Sequence, residues 1–166
     1  SDAATINDGT NTYNGTINNI GFDTPTSHTI TVKPEDTTAA SATYTINVTR
    51  EKSTNANLTS LTVDGNTLDG FNGNADGTYT LDDVLNAKNS VTVNYTTENS
   101  EANVTISNNG TTITGNNVSL TEGANEIKVV VTSQDGTKTI THTINIKRKS
   151  NNADLATLDV TSNPMG

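Results

Sequence analysis

Asn152-Ala153-Asp154-Leu155-Ala156-Thr157-Leu158-Asp159-Val160 repeats Asn55-Ala56-Asn57-Leu58-Thr59-Ser60-Leu61-Thr62-Val63, and Leu155 lies 97 residues after Leu58. A second echo precedes each copy. Thr43-Tyr44-Thr45-Ile46-Asn47-Val48-Thr49-Arg50 matches Thr141-His142-Thr143-Ile144-Asn145-Ile146-Lys147-Arg148 at an offset of 98. Two matched segments in the same order, at nearly the same offset, predict a tandem repeat of about a hundred residues. In each copy a strand ends at an arginine, a short linker follows, and a new strand opens. The repeat divides the 166 residues into three parts. Residues 1–51 correspond to the second half of a unit, residues 52–149 to one complete unit, and residues 150–166 to the opening strand of a further one. On this reading the chain is expected to be a piece of a longer array.

Working outward, the apolar residues alternate in short runs. His28, Ile30 and Val32 share one phase, and so do Ala42, Tyr44, Ile46 and Val48. In the complete unit the same period of two runs through Val91, Val93 and Tyr95, then Val104 and Ile106. It continues through Ile127, Val129 and Val131, and Ile140, Ile144 and Ile146. Strict alternation predicts half-buried strands. Asp8-Gly9, Asn14-Gly15, Asp64-Gly65, Asn109-Gly110 and Asp135-Gly136 supply turn pairs that tolerate positive φ. Lys33-Pro34-Glu35-Asp36 breaks the strand before it, and Leu85 to Asn89 reads as a loop or a single helical turn. About seven short strands with turns every eight to twelve residues predict an antiparallel β-sandwich.

Composition fits that class. Apolar content is 30% and aromatic content 4%, with no tryptophan. Disorder is rejected because the polar excess is threonine, a β-branched residue suited to a half-wet pleated surface. The net charge of −9 repels phosphate backbones, which argues against nucleic acid. The absence of cysteine removes disulfides and thiolate metal sites. No apolar run reaches the roughly 20 residues a membrane helix needs.

The pattern from Asn55-Ala56-Asn57-Leu58 through Leu68, Phe71 and Thr78-Tyr79-Thr80 resembles a known family. So do Leu120-Thr121-Glu122-Gly123-Ala124-Asn125-Glu126-Ile127, Asp135-Gly136-Thr137 and Thr143 to Arg148. Together these segments, spanning 54–148, resemble the cadherin-like β-sandwich repeat of bacterial surface proteins. The resemblance implies tandem immunoglobulin-like sandwiches on secreted or wall-attached bacterial proteins. There such repeats act as spacers or accompany adhesion and carbohydrate-active domains, and the family brings no catalytic residues. The expected role is therefore a stalk or spacer, with neighbouring repeats and homotypic strand exchange as partners. The alternative is an adhesin or glycan-binding module contacting a glycan or host protein.

Few residues point to chemistry. Asn72-Gly73-Asn74-Ala75-Asp76-Gly77, with Asp83 in the twelfth position, loosely fits a calcium loop in which oxygen ligands alternate before a glycine. Asn72, Asn74, Asp76 and Asp83 are thus the metal candidates. The competing reading is a Gly/Asn-rich turn between strands. His28 and His142 fall at inward phase and read as partly buried wall residues. Lys128 and Lys138 fall at outward phase, which disfavours a lysine–asparagine cross-link in the core. Tyr13, Tyr95 and Phe71 are the aromatics to watch for sugar stacking.

Overall fold

The computed structural model describes residues 20–32, 35 and 38–153, together with the backbone of 6–7 and 12–13. The turn pairs Asp8-Gly9 and Asn14-Gly15, the breaker residues Lys33, Pro34 and Asp36, and the repeat strand Leu155-Leu158-Val160 lie outside the described residues. The chain divides into two compact units, Ser1–Ser53 and Thr54–Gly166.

In the first unit, β1 (Ile6–Asn7) pairs antiparallel with β2 (Thr12–Tyr13). β3 (Thr26–Val32) pairs antiparallel with β4 (Ala42–Val48). The register sets His28 opposite Ile46, Ile30 opposite Tyr44 and Val32 opposite Ala42. The apolar side chains therefore share one face, as the alternation requires. That face is incompletely covered. Tyr44, expected to point inward, is 60% exposed and Val32 40%. Beyond β4 the chain is tied back by Arg50, whose guanidinium lies 4.3 Å from the centre of the Phe22 ring. The Arg50 carbonyl accepts from the Asp23 amide at 2.9 Å, and Asp23 pairs with Lys52 at 2.8 Å.

The second unit is a two-layer sandwich. Its described residues contain nine strands, β5 (Leu58–Val63), β6 (Asn66–Thr67), β7 (Gly77–Thr80), β8 (Ser90–Thr97), β9 (Asn103–Asn108), β10 (Thr111–Ile113), β11 (Asn117–Ser119), β12 (Gly123–Thr132) and β13 (Thr139–Arg148). One sheet runs β10-β9-β12-β13-β7 and the other β11-β8-β5-β6. Nine strands exceed the expected seven because short pieces such as the two-residue β6 carry no alternation to read. The loop around Leu85 closes with a turn, the Lys88 amide donating to the Leu85 carbonyl at 2.9 Å. Among the described residues no helix is long and apolar enough to cross a membrane.

The core is the set of inward positions the alternation marks. Ile127, Val129, Val131 and Ile144 on one sheet are fully buried, as are Leu61 and Val93 on the other. Leu58 and Leu61 pose a problem for a regular strand, because a spacing of three puts them on opposite faces. A β-bulge between Leu58 and Ser60 resolves it and turns both leucines inward. The longest pairing is β12 with β13, in register from Gly123↔Arg148 to Thr132↔Thr139.

Turn chemistry behaves as the sequence suggests. Asp64 and Gly65 have φ of 50° and 81°, and Asn109 and Gly110 have 48° and 81°. Both are two-residue type I′ hairpin loops, whose handedness matches strand twist. Asn109 is also held by its side chain. Its Oδ1 accepts from the Glu126 amide at 2.8 Å, and its Nδ2 donates to the Ala124 carbonyl at 3.3 Å.

One pairing departs from an all-antiparallel sandwich. β7 runs parallel to β13, with His142↔Gly77 through Asn145↔Thr80 in register. After β6 the chain leaves one sheet and joins the edge of the other in the direction of β13. It stays there as far as Val84, whose amide donates to the Lys147 carbonyl at 2.8 Å.

Polar residues in the core are few, and Asn125 is held on several sides. Asn125, 2% exposed, accepts from the Thr121 amide at 2.8 Å and from Asn108 Nδ2 at 3.0 Å. It donates to the Thr121 and Gly123 carbonyls at 2.9 and 3.2 Å. Replacing Asn125 by Ala orphans buried donors and acceptors at once. The expected cost is about 2–3 kcal/mol, at the upper end for an unmade buried hydrogen bond. Urea denaturation of the variant against the parent measures it.

Candidate functional site

The segment carrying the metal candidates, Asp69 to Asp83, crosses from one sheet to the other and covers one end of the sandwich. Gly73 sits directly against β5. The Leu58 amide donates to its carbonyl at 3.0 Å, and a Cβ at Gly73 would collide with the Leu58 carbonyl. Gly77, the glycine of the loop pattern, opens β7. A Cβ there would collide with the Tyr79 ring and hydroxyl. Close packing therefore accounts for both glycines, and neither has the positive φ that a sharp ligand loop demands.

Two of the candidate oxygens are engaged locally. Asn72 Oδ1 accepts from the Asn74 amide at 3.0 Å, a self-closing Asx turn. Asp76 Oδ1 accepts from the Thr141 amide at 2.7 Å and so fastens the loop to β13. From Asp76 to Asp83 the chain runs extended alongside β13, and Asp83 is exposed near the far end of that strand. Seven residues of extended chain separate the two carboxylates by roughly 20 Å. The structure brings Asn72, Asn74 and Asp76 into one loop and leaves Asp83 out of it. Among the described residues no three His, Cys, Asp or Glu side chains come together in a metal-holding group.

Beneath this loop lies a cluster the sequence did not announce. His142 is completely buried, not a partly wet wall residue. Its Nδ1 shares a hydrogen bond with the Tyr79 hydroxyl at 3.2 Å, and its Nε2 is buried without a partner among the described residues. The Phe71 ring lies 5.5 Å from the imidazole centre to centre, and Tyr79 6.1 Å. Burial pushes the His142 pKa below its ordinary value, and the Asp76 carboxylate only partly opposes this. The imidazole is held neutral as a core residue. His142 is the inward neighbour of Ile140 and Ile144, so alternation gave its direction. Its contact with Tyr79 depends on the parallel pairing of β7, which has no local sequence signal.

This arrangement makes stability depend on pH. The unfolded chain takes up a proton at His142 near the ordinary histidine value of about 6.5, whereas the folded chain resists it. The stabilisation is complete above that value and declines as pH falls below it. Denaturant midpoints measured from pH 8 to pH 5 are expected to fall, and His142→Gln is expected to flatten the decline.

A second feature is an open groove of about 510 Å³ between the sheets, lined by Val93, Tyr95, Val104, Ile106 and Ile113 and by the amides of Asn94 and Asn116. Tyr95 is 39% exposed there. Asn116 Nδ2 donates to Asn94 Oδ1 at 2.7 Å. Phe71 is taken up by the His142 cluster, so the two rings do not form one exposed platform, and the side chain of Tyr13 lies outside the described residues. The lysines lie at the surface. Lys128 pairs with Glu126 at 2.7 Å, and Lys138 Nζ donates to Asn57 Oδ1 at 3.3 Å.

Two facing sheets over a buried aliphatic core, with turn-borne carboxylates, define a β-sandwich module whose interior serves packing. A family model for the cadherin-like beta sandwich domain matches residues 58–149, more than half of the chain. The chain belongs to that family. Such domains are structural or adhesion-type modules, generally extracellular and typically non-catalytic. No curated protein matches the chain.

Proposed function

We propose that the chain is a non-catalytic spacer of a bacterial extracellular or cell-surface protein, working in series with neighbouring repeats. One observation carries this reading. Asn57, where the chain enters the sandwich, is bonded to Lys138 at the start of β13. The ten residues of β13 then carry the chain about 33 Å to the opposite end. A module entered at one end and left at the other adds its full length to a stalk.

The strand arrangement supports a load-bearing role. β13 is hydrogen-bonded on both sides, to β12 and to β7. A pull between the two ends acts along the strands and loads many ladder bonds together. Arg148 strengthens the exit, its Nη1 donating to the Leu120 carbonyl at 2.9 Å and its Nε to the Asn86 carbonyl at 2.8 Å. The acidic, threonine-rich surface keeps such a stalk hydrated.

Pulling single chains by their termini tests the reading. The sandwich is expected to unfold in one high-force event that lengthens the chain by about 30 nm, from roughly 3.5 Å per extended residue. Stepwise yielding at low force would remove the mechanical role. The spacer works without a bound cofactor, so the melting temperature is expected to be the same with calcium and with chelator. A calcium-dependent rise would assign the loop of Asn72, Asn74 and Asp76 a metal after all.

A second reading, a glycan-binding accessory module, is favoured by the Tyr95 groove, where an aromatic ring stands beside two amides. A glycan array with the parent chain and Tyr95→Ala decides it. Binding that disappears in the variant establishes this reading, and absence of binding leaves the spacer.

A further inference from the structure

The β3–β4 hairpin and the β12–β13 hairpin coincide pair for pair. Thr26↔Val48, His28↔Ile46, Ile30↔Tyr44 and Val32↔Ala42 stand where Asn125↔Ile146, Ile127↔Ile144, Val129↔His142 and Val131↔Ile140 stand in the second unit. The flanking bridges agree as well. Phe22 pairs in parallel with Arg50 as Val84 does with Arg148.

The two faces differ in how they are covered. On β12 and β13 the inward side chains are almost completely buried beneath the opposite sheet, to which β5 contributes Leu58, Leu61 and Val63. On β3 and β4, Ile30 and Ile46 are half-buried, while Val32 and Tyr44 are exposed. An apolar sheet face left wet is a docking surface. The sequence contains a second copy of the β5 pattern, Leu155, Leu158 and Val160, at the spacing of Leu58, Leu61 and Val63.

We propose that residues 152–160 of a second copy of this chain dock on the β3–β4 face. The docked segment lays Leu155, Leu158 and Val160 over Ile30, Tyr44 and Ile46, as β5 covers the matching hairpin. Donor and acceptor surfaces differ, so the contact is heterologous and passes from copy to copy without closing. The result is a head-to-tail string. Because every copy carries a charge of −9, added salt screens repulsion and favours growth of the string. The proposal goes beyond the spacer role, which stands for a monomeric module as well.

Sedimentation velocity on the whole chain tests it, over micromolar to submillimolar concentrations and at two salt levels. The average mass of the parent is expected to rise with concentration and with salt. Leu158→Asp spoils the donor and Tyr44→Asp the acceptor, the latter at an exposed position that tolerates the change. Each variant alone is expected to lose at least tenfold in association, with the thermal melt of the sandwich unchanged. An equimolar mixture of the two retains one good donor and one good acceptor, and is expected to stop at a 1:1 dimer. A parent chain that stays monomeric overturns the proposal. So does association that survives either substitution, which would place the contact on another face, and so does a mixture without dimers.

Discussion

With only 30% of its residues apolar, this chain can close a core only if nearly every one of them faces inward. That constraint shapes the sandwich of residues 54–149. The period-two alternation of β8, β9, β12 and β13 sends most valine and isoleucine to one side and threonine and lysine to the other. Where alternation would waste a leucine, a bulge between Leu58 and Ser60 restores it. Where aliphatic residues run short, Phe71, Tyr79 and His142 fill one end as a ring cluster. A histidine in such a place surrenders its charge, and the pH dependence of the fold follows from that shortage of hydrocarbon.

Polar side chains at turns, corners and strand ends serve the same economy. Asn125 satisfies the backbone at the corner from Leu120 to Gly123, where the chain returns to the sheet. Asp135 does so at the β12–β13 turn, where hydrogen bonds from the Ser133 and Thr137 hydroxyls and the Thr137 amide hold its carboxyl below the usual carboxylate range. Arg148 does so at the end of the last strand. Short polar side chains take up backbone groups that a larger core would have enclosed in regular ladder.

Much of this was legible in the sequence, and the limits are physical. Alternation identified the inward faces of β8, β9, β12 and β13, and the Asp-Gly and Asn-Gly pairs placed three hairpins, because both signals are local. The parallel addition of β7 to β13 was not legible, since its ladder joins residues 65 apart through backbone groups that carry no local signal. Tyr44 misled for a related reason. Its phase is inward, but phase says nothing about whether another layer is present to cover it. The oxygen and glycine spacing of Asn72 to Gly77 loosely fits a ligand pattern. In the structure Gly73 and Gly77 make room for Leu58 and Tyr79, while Asn72 and Asp76 bind amides of the chain itself.

The Asn109 amide, clasped by Glu126 and Ala124, has a bearing on how long the molecule lasts. An asparagine before glycine is the usual point of chemical ageing, because the glycine nitrogen can attack the side-chain carbonyl and expel ammonia. In the tight Asn109-Gly110 turn the carbonyl oxygen and the amide nitrogen are both engaged by the neighbouring strand β12. The side chain cannot swing onto the Gly110 nitrogen without breaking both contacts. That clasp acts as a preservative of the turn.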